Sequence, residues 1–387
     1  MRMPRPTNFA SLRQTSLAVA CLVATFVAQG ASIPQSAGNS YNLHQSRLVE
    51  FDAPGAVTAV SPACGTNCGT FAYSNNNWGQ IVGYYTDGNG TQHGFLRNPG
   101  GQFISFDPPG GGIGPGTYAY QINDFGVIVG NFTDPAHGQQ HSYIRNPDGS
   151  FVTFDVPGAG TGIFQGTYAW DINLLGEIAG IYFDANNLGH GFLRSRSGAI
   201  TLFDPPGSIF TDVCTETCLT PTGTVAGFYE DSNSNYHGFV RDRQGKLTTF
   251  DAPGVYEVTI VASINPQGVI TGYFLDTTSV WHGFLRQPNG RFSSFSVPQG
   301  GKATFQGTNP FSINLFGAVA GEYADAENVN HGFERFGNGY IATFDAPDAG
   351  IGFNQGTRPT TNNDEGEVTG WWTDAAGLNH GFLWIPY

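Results

Sequence analysis

The sequence predicts an all-β protein, a seven-bladed β-propeller of four-stranded blades whose ring closes by pairing the N-terminal and C-terminal strands in one blade. Three observations predict it. Short markers recur seven times in constant order, glycine supplies 55 of 387 residues, and aromatic residues reach 14% while charged ones stay at 12%. Such a composition suits many short strands joined by tight turns and argues against helical bundles. With 40% hydrophobic residues the chain can bury a core, so disorder is not expected.

The chain opens on Arg2, Arg5 and Arg13, followed by an apolar run from Leu17 to Ala28 and the small residues of Ala28-Gln29-Gly30-Ala31. This is the layout of a secretory signal peptide over residues 1–30. Cys21 sits inside the run in a weak version of a lipoprotein box, and cleavage near Gly30 is expected in preference to lipid attachment. A linker over 31–46 follows, and a single domain spans 47–387. No second hydrophobic run reaches spanning length. The expected location is therefore outside the cell, with the periplasm as the alternative.

The first marker is His-Gly-Phe at His93, His190, His237, His282, His331 and His380, with His-Ser-Tyr at His141; the gaps run from 45 to 49 residues. The second is Phe-Asp followed by Pro at Phe51, Phe106, Phe154, Phe203, Phe250 and Phe344, with Phe295-Ser296 in the remaining slot. The third is a glycine pair four apart, from Gly79/Gly83 to Gly366/Gly370, taken to lie on strands. Each unit of about 48 residues holds four strand-like runs, which is the signature of a propeller blade. Unit 3 shows them as Phe151–Asp155, Thr167–Ile172, Glu177–Phe183 and His190–Arg194. The last His-Gly-Phe strand lacks a successor and the first Phe-Asp strand lacks a predecessor. Pairing the two removes two exposed edges.

These markers, together with Ile122-Asn123, Ile172-Asn173, Ile264-Asn265 and Ile313-Asn314 three residues before a Gly, resemble the extracellular HAF-type repeat family. The resemblance covers nearly all of residues 47–387. It implies an exported repeat protein and carries over no catalytic residues.

An Asp precedes the repeat His by six residues at Asp87, Asp184, Asp231, Asp276, Asp325 and Asp374, and by seven at Asp134. Seven equivalent His–Asp pairs read as loop clamps rather than as one polarised catalytic site. The Arg after each marker, Arg97 to Arg335, is expected to form ion pairs or cover a blade edge. Cys64/Cys68 and Cys214/Cys218 read as two local disulfides in turned segments, because bridged Cα atoms lie within about 7 Å. No metal or cofactor is expected.

Function is sought in asymmetry. Three crossings end in Gln-Gly-Thr with a nearby aromatic, which makes Phe164, Gln165, Phe305, Gln306, Phe353 and Gln355 candidate binding residues. Glu216 and Arg358 are weak catalytic candidates: Glu216 is assigned the slot of Ala72 and Ala119, and Arg358 that of Phe71 and Tyr118. A formal charge of −14 excludes a nucleic-acid binder and disfavours an anionic membrane. The expectation is a monomeric secreted protein, a binder rather than an enzyme, taking a glycan, peptide or partner protein on its loop-rich face. A polysaccharide hydrolase or lyase with a channel site, and a structural matrix protein, are the alternatives.

Overall fold

Hydrophobic runs of four to seven residues between Gly- or Asn-containing turns form strands here. The computed structural model describes residues 46–112, 116–214 and 216–386, with 28 strands and no helix among them. The signal segment, Cys21 and all of the linker but Ser46 lie outside the described residues.

After β1 (Arg47–Phe51) the strands group by fours. Set 1 is β2 (Thr70–Asn75), β3 (Ile81–Thr86), β4 (Gln92–Arg97) and β5 (Phe103–Phe106). Set 2 is β6 (Thr117–Ile122), β7 (Ile128–Thr133), β8 (Gln140–Arg145) and β9 (Phe151–Phe154). Set 3 is β10 (Gly166–Ile172), β11 (Ile178–Phe183), β12 (Gly189–Arg194) and β13 (Ile200–Phe203). Set 4 is β14 (Ser208–Val213), β15 (Val225–Asp231), β16 (Tyr236–Arg241) and β17 (Leu247–Phe250). Set 5 is β18 (Thr259–Ile264), β19 (Ile270–Leu275), β20 (Trp281–Arg286) and β21 (Phe292–Phe295). Set 6 is β22 (Gly307–Ile313), β23 (Val319–Ala324), β24 (Asn330–Arg335) and β25 (Ile341–Phe344). β26 (Gly356–Asn362), β27 (Val368–Thr373) and β28 (Asn379–Ile385) complete the chain. Strands pair antiparallel in order within each set, and β1 joins the last three by a ladder from Arg47 opposite Ile385 to Phe51 opposite Gly381.

Each residue of the marker His-Gly-Phe-x-Arg has a packing role. The Phe is fully buried in six sets, and Tyr143 takes its place in set 2. A Cβ on Gly94 would sit 2.5 Å from the Phe106 ring, so the Gly makes room for the neighbouring Phe-Asp strand. The Arg lies over the Phe of the preceding set's outer strand, as Arg145 does over Phe106 at 4.8 Å and Arg194 over Phe154 at 4.7 Å. Of the two expectations, an ion pair or a covered edge, the contact formed is with the Phe of the neighbouring outer strand. Among the described residues none of these guanidinium groups lies within ion-pair distance of a carboxylate. Trp384 takes the Arg position in the last set and stacks on Phe344 at 4.6 Å.

The glycine pairs divide their work. The first of each pair lies in a turn rather than on a strand; Gly79, for example, has φ 70°, a conformation that an L residue resists. The second lies on a strand, where a Cβ on Gly83 would collide with the Phe71 carbonyl at the bulge between Ala72 and Ser74.

Outside set 4 the turn after each first strand starts with Asn, whose Oδ1 caps the turn; Asn76 Oδ1 accepts from the N–H of Trp78 at 3.1 Å and of Gln80 at 3.0 Å. Its Nδ2 donates to the next set's turn: Asn76 to Asn123 O, Asn123 to Asn173 O, Asn173 to Thr220 O, Asn265 to Asn314 O, Asn314 to Asn363 O. Asn363 returns to Asn76 O at 3.2 Å. Thr220 stands where set 4 would need an Asn, and there the belt is interrupted. These turns define one face of the molecule, the turn face. The Asp-to-His loops and the crossings between sets lie at the opposite strand ends, on the loop face.

Candidate functional site

The seven repeat histidines sit on the loop face and are each held on several sides. Nδ1 lies 2.7–3.0 Å from the Asp of the Phe-Asp marker 14 residues later in His93, His141, His190, His237 and His331, and from Asp52 in His380. His282 meets Ser296 at 2.8 Å. The cause is register: Gly94 pairs with Phe106, so His93 and Asp107 stand opposite each other. The sequence expectation had named the Asp six residues earlier as the partner. That carboxylate lies against Nε2 at 3.0–3.9 Å in six sets, while its Oδ1 caps the turn that follows it. In set 2 the longer loop turns Asp134 toward His137, at 2.6 Å. An aromatic ring covers each imidazole, from Tyr85 over His93 to Trp372 over His380 at 4.2 Å.

The carboxylates show the consequence. Burial draws Asp231 up, but N–H groups of Asn235 and Asn233, with the side chains of Asn235 and His237, together bring it down to about 2. The bond to Asp155 raises His141, and that to Asp345 raises His331. An open pocket in set 2 is lined by Phe132, Asp134, His141, Phe154 and Asp155, among others. Among the described residues no group of three or more His, Cys, Asp or Glu is placed to hold a metal ion.

The unrepeated charges are arranged differently from the sequence expectation. In set 4 the partner of Gly227 is Val213, so Val213 takes the Ala72 slot and Asp212 the Phe71 slot. Glu216 lies beyond β14, and its N–H donates to Ala262 O at 3.0 Å. Asp212 accepts from Trp170 Nε1 at 3.1 Å. Arg358 does occupy its assigned slot on β26, but it is buried, 3.6 Å from Glu322 and donating to Asn354 O at 2.9 Å. Burial raises the Glu322 carboxyl, and Arg358 opposes that rise.

Two further acids escaped sequence reasoning. Asp171 is buried at the bulge of β10 and accepts from the N–H of Cys218 at 2.7 Å and of Leu219 at 2.8 Å; burial pushes it up to about 6 against those bonds. Glu334 is fully buried in the position held elsewhere by Leu96, Ile144 and Leu193, and neither carboxylate oxygen has a partner of hydrogen-bonding geometry. Burial pushes it up to about 7, with a partial opposing pull from the Asn362 side chain. An acid in a slot otherwise filled by aliphatic residues was the available signal.

The crossing loops divide the binding candidates. The three glutamines tie their loops together: Gln165 accepts from Gly162 N at 2.9 Å and donates to Ala185 O at 3.2 Å, with Gln306 and Gln355 making the equivalent bonds. Their amides are thereby committed within the protein. Phe353 is 50% exposed and Phe164 37%, whereas Phe305 is half-buried beside Trp281. Phe164 and Phe305 hold φ of 61° and 65°, a strained region for a bulky residue. Asn354, one residue after Phe353, takes that backbone position in the last crossing. The cysteines pair locally, Cys64 with Cys68 and Cys214 with Cys218, at Cα separations of 5.0 and 5.1 Å.

No protein-family model matches the chain, and no curated protein matches it. Among solved structures, a streptogramin B lyase aligns with a TM-score of 0.55 at 16% identity, covering 89% of this chain and 99% of that one. Virginiamycin B lyase from Staphylococcus aureus gives 0.54 at 14%, covering 88% and 99%. Puromycin hydrolase gives 0.52 at 13%, covering 85% of this chain and 55% of its own. These are β-propeller proteins. The fold is β-propeller-like. At such identities the likeness is one of fold, and function must be argued from the site.

Proposed function

We propose that the chain is a closed seven-bladed propeller of the extracellular HAF-repeat type. It works outside the cytoplasm as a monomeric binding protein, with a glycan, peptide or partner protein on its loop face. Closure is supported by the β1–β28 ladder, the Gly69–Asn379 bridge, the Asn363–Asn76 bond and Arg97 over Phe51, all of which join set 1 or β1 to the last set. The paired cysteines fit an oxidising compartment.

One observation carries the binding reading. The repeated His, Asp and Gln side chains are engaged in holding strands and loops, while Phe164, Ile351 and Phe353 stand exposed on crossings over a rigid scaffold. Screening the protein on glycan and peptide arrays should reveal a ligand whose affinity falls about tenfold in Phe353→Ala with melting unchanged. Binding that survives both Phe164→Ala and Phe353→Ala would reject the loop face. A channel-site hydrolase or lyase is the second reading, favoured by Asp212, an acid on the first strand of set 4 in the slot that Phe71 holds in set 1. Turnover of a polysaccharide lost in Asp212→Asn would establish it.

A further inference from the structure

The largest exposed side chains lie on the face opposite the one just discussed, and the inference drawn from them does not depend on the loop-face reading. Trp78, Phe125 and Phe316 are 69%, 67% and 72% exposed, each at the third position of an Asn-x-x-Gly turn. The Asn cap and the belt between sets fix the backbone beneath them, so these rings are presented on a rigid base instead of on mobile loops. Exposed apolar side chains gathered on one face and rimmed by polar groups mark an interaction surface, whereas singly scattered ones do not.

Acids alternate with these rings. Asn77 N donates to Asp124 Oδ1 at 3.0 Å, and Asn77 Nδ2 donates to Asp124 Oδ2 at 2.9 Å and to Asp364 Oδ2 at 3.0 Å. Two carboxylates thus converge on one amide beside the Trp78 indole, and exposed Glu365 follows Asp364. Passing from set 6 through the last set to sets 1 and 2, the order is Phe316, Asp364 with Glu365, Trp78, then Asp124 with Phe125. The turns 76–80, 123–127, 314–318 and 363–367 contain no Lys or Arg. Basic groups flank the arc without entering these turns. Arg97, Arg145 and Arg335 lie over Phe rings at the second turns of sets 1, 2 and 6. Arg47 is exposed at the end of β1, and Arg196 and Arg243 pack on Gly176 and Gly223.

We propose that this arc is a docking surface for a basic amphipathic polypeptide segment, in which Lys or Arg side chains alternate with apolar ones. The rings would bury the apolar residues and take cations on their faces, and the carboxylates would fix the register. Asp124 and Asp364 already accept from Asn77, and Asp364 also from Leu315 N at 3.0 Å. A neutral sugar would use the rings but leave the negative charge of the arc unmatched, whereas a basic segment would meet it.

Titration calorimetry of the full chain with a short alternating Lys-Leu peptide tests this, with an alternating Glu-Leu peptide and a neutral oligosaccharide as comparisons. The expected result is binding of the Lys-Leu peptide alone, weakened about tenfold or more by Trp78→Ala and by Asp124→Asn, and weakened again at high salt. Glu257→Gln and Phe353→Ala, on the loop face, should leave it unchanged. Equal binding of the Glu-Leu peptide, preference for the oligosaccharide, or equal loss in Glu257→Gln would overturn the proposal. If Trp78→Ala does not fold, Phe316→Ser carries the same expectation. Loss of an array ligand through Phe353 alone would leave this result untouched, so the two faces are tested separately.

Discussion

Glu334 is the residue whose chemistry is least compatible with its surroundings. Its carboxyl sits where other sets place Leu, Ile or Val, and burial holds it at about 7 against an ordinary value of 4.5. A raised acid is linked to stability with a definite sign: the unfolded chain releases this proton first, so stability declines as pH rises from about 4.5 to about 7. A shift of this size corresponds to about 3 kcal/mol. Glu334→Leu should therefore raise the melting temperature more at pH 8 than at pH 5, and equal gains at both values would show the group to be charged in the fold. The raised histidines are linked with the same sign, over a higher pH window. His331 is raised by Asp345, so its contribution is complete below about 6.5 and is lost as pH climbs through the folded value. Hydrogen bonds to charged groups contribute about 1.5–3 kcal/mol when protected, and exposure reduces this here. In a double-mutant cycle His237 should couple more strongly to Asp251, at 2.7 Å, than to Asp231, at 3.5 Å. Stronger coupling to Asp231 would return the clamp to the loop.

The element scale is where the sequence was most legible and where it also misled. Seven copies of the turn and marker residues place the strands, since each turn needs its Asn or Asp and its Gly, and each His-Gly-Phe strand needs a flat neighbour. Set 4 departs because Val213, in the slot of Ala72, stands three residues further from its turn glycine Gly223 than Ala72 does from Gly79. Counting back from Gly223 therefore lands on Glu216 instead of Val213. The intervening residues form the Cys214–Cys218 turn, which is held by Asp171 and reaches over to pair Thr217 O with Ile264 N at 2.8 Å. The His partners were missed for a related reason: register across a hairpin is not visible in linear spacing. The exposed rings of the turn face sit on turns of constant length, so the length differences that mark the crossings give no sign of them. For the disulfides, a non-reducing digest should recover Cys64–Cys68 and Cys214–Cys218. A peptide joining Cys64 to Cys214 would mean that set 1 lies against set 4.

At the scale of the whole molecule, the proposed closure rests on a few residues at the two ends of the described chain. β1 has β28 as its ladder partner, and Phe51 on β1 packs against Phe95 at 6.5 Å and under Arg97 at 4.7 Å. The last set thus meets the first by the same Arg-over-Phe contact that joins neighbouring sets elsewhere. Deleting Phe382–Tyr387 removes the fully buried Phe382 and the Trp384 that stacks on Phe344, and strips β1 of most of its ladder. Truncating a buried Phe or Trp to Ala already costs about 3–5 kcal/mol, and here two are lost together with the hydrogen bonds of an edge. Such a loss approaches the whole stability of an ordinary domain. The truncated chain should melt more than about 10 °C lower than its parent, or fail to fold. Amide exchange should be fastest in β1 and in the inner strand β2, which abut the broken seam. A truncated chain that melts within a few degrees of its parent, with β1 still protected, would mean that the ring does not depend on its shared set.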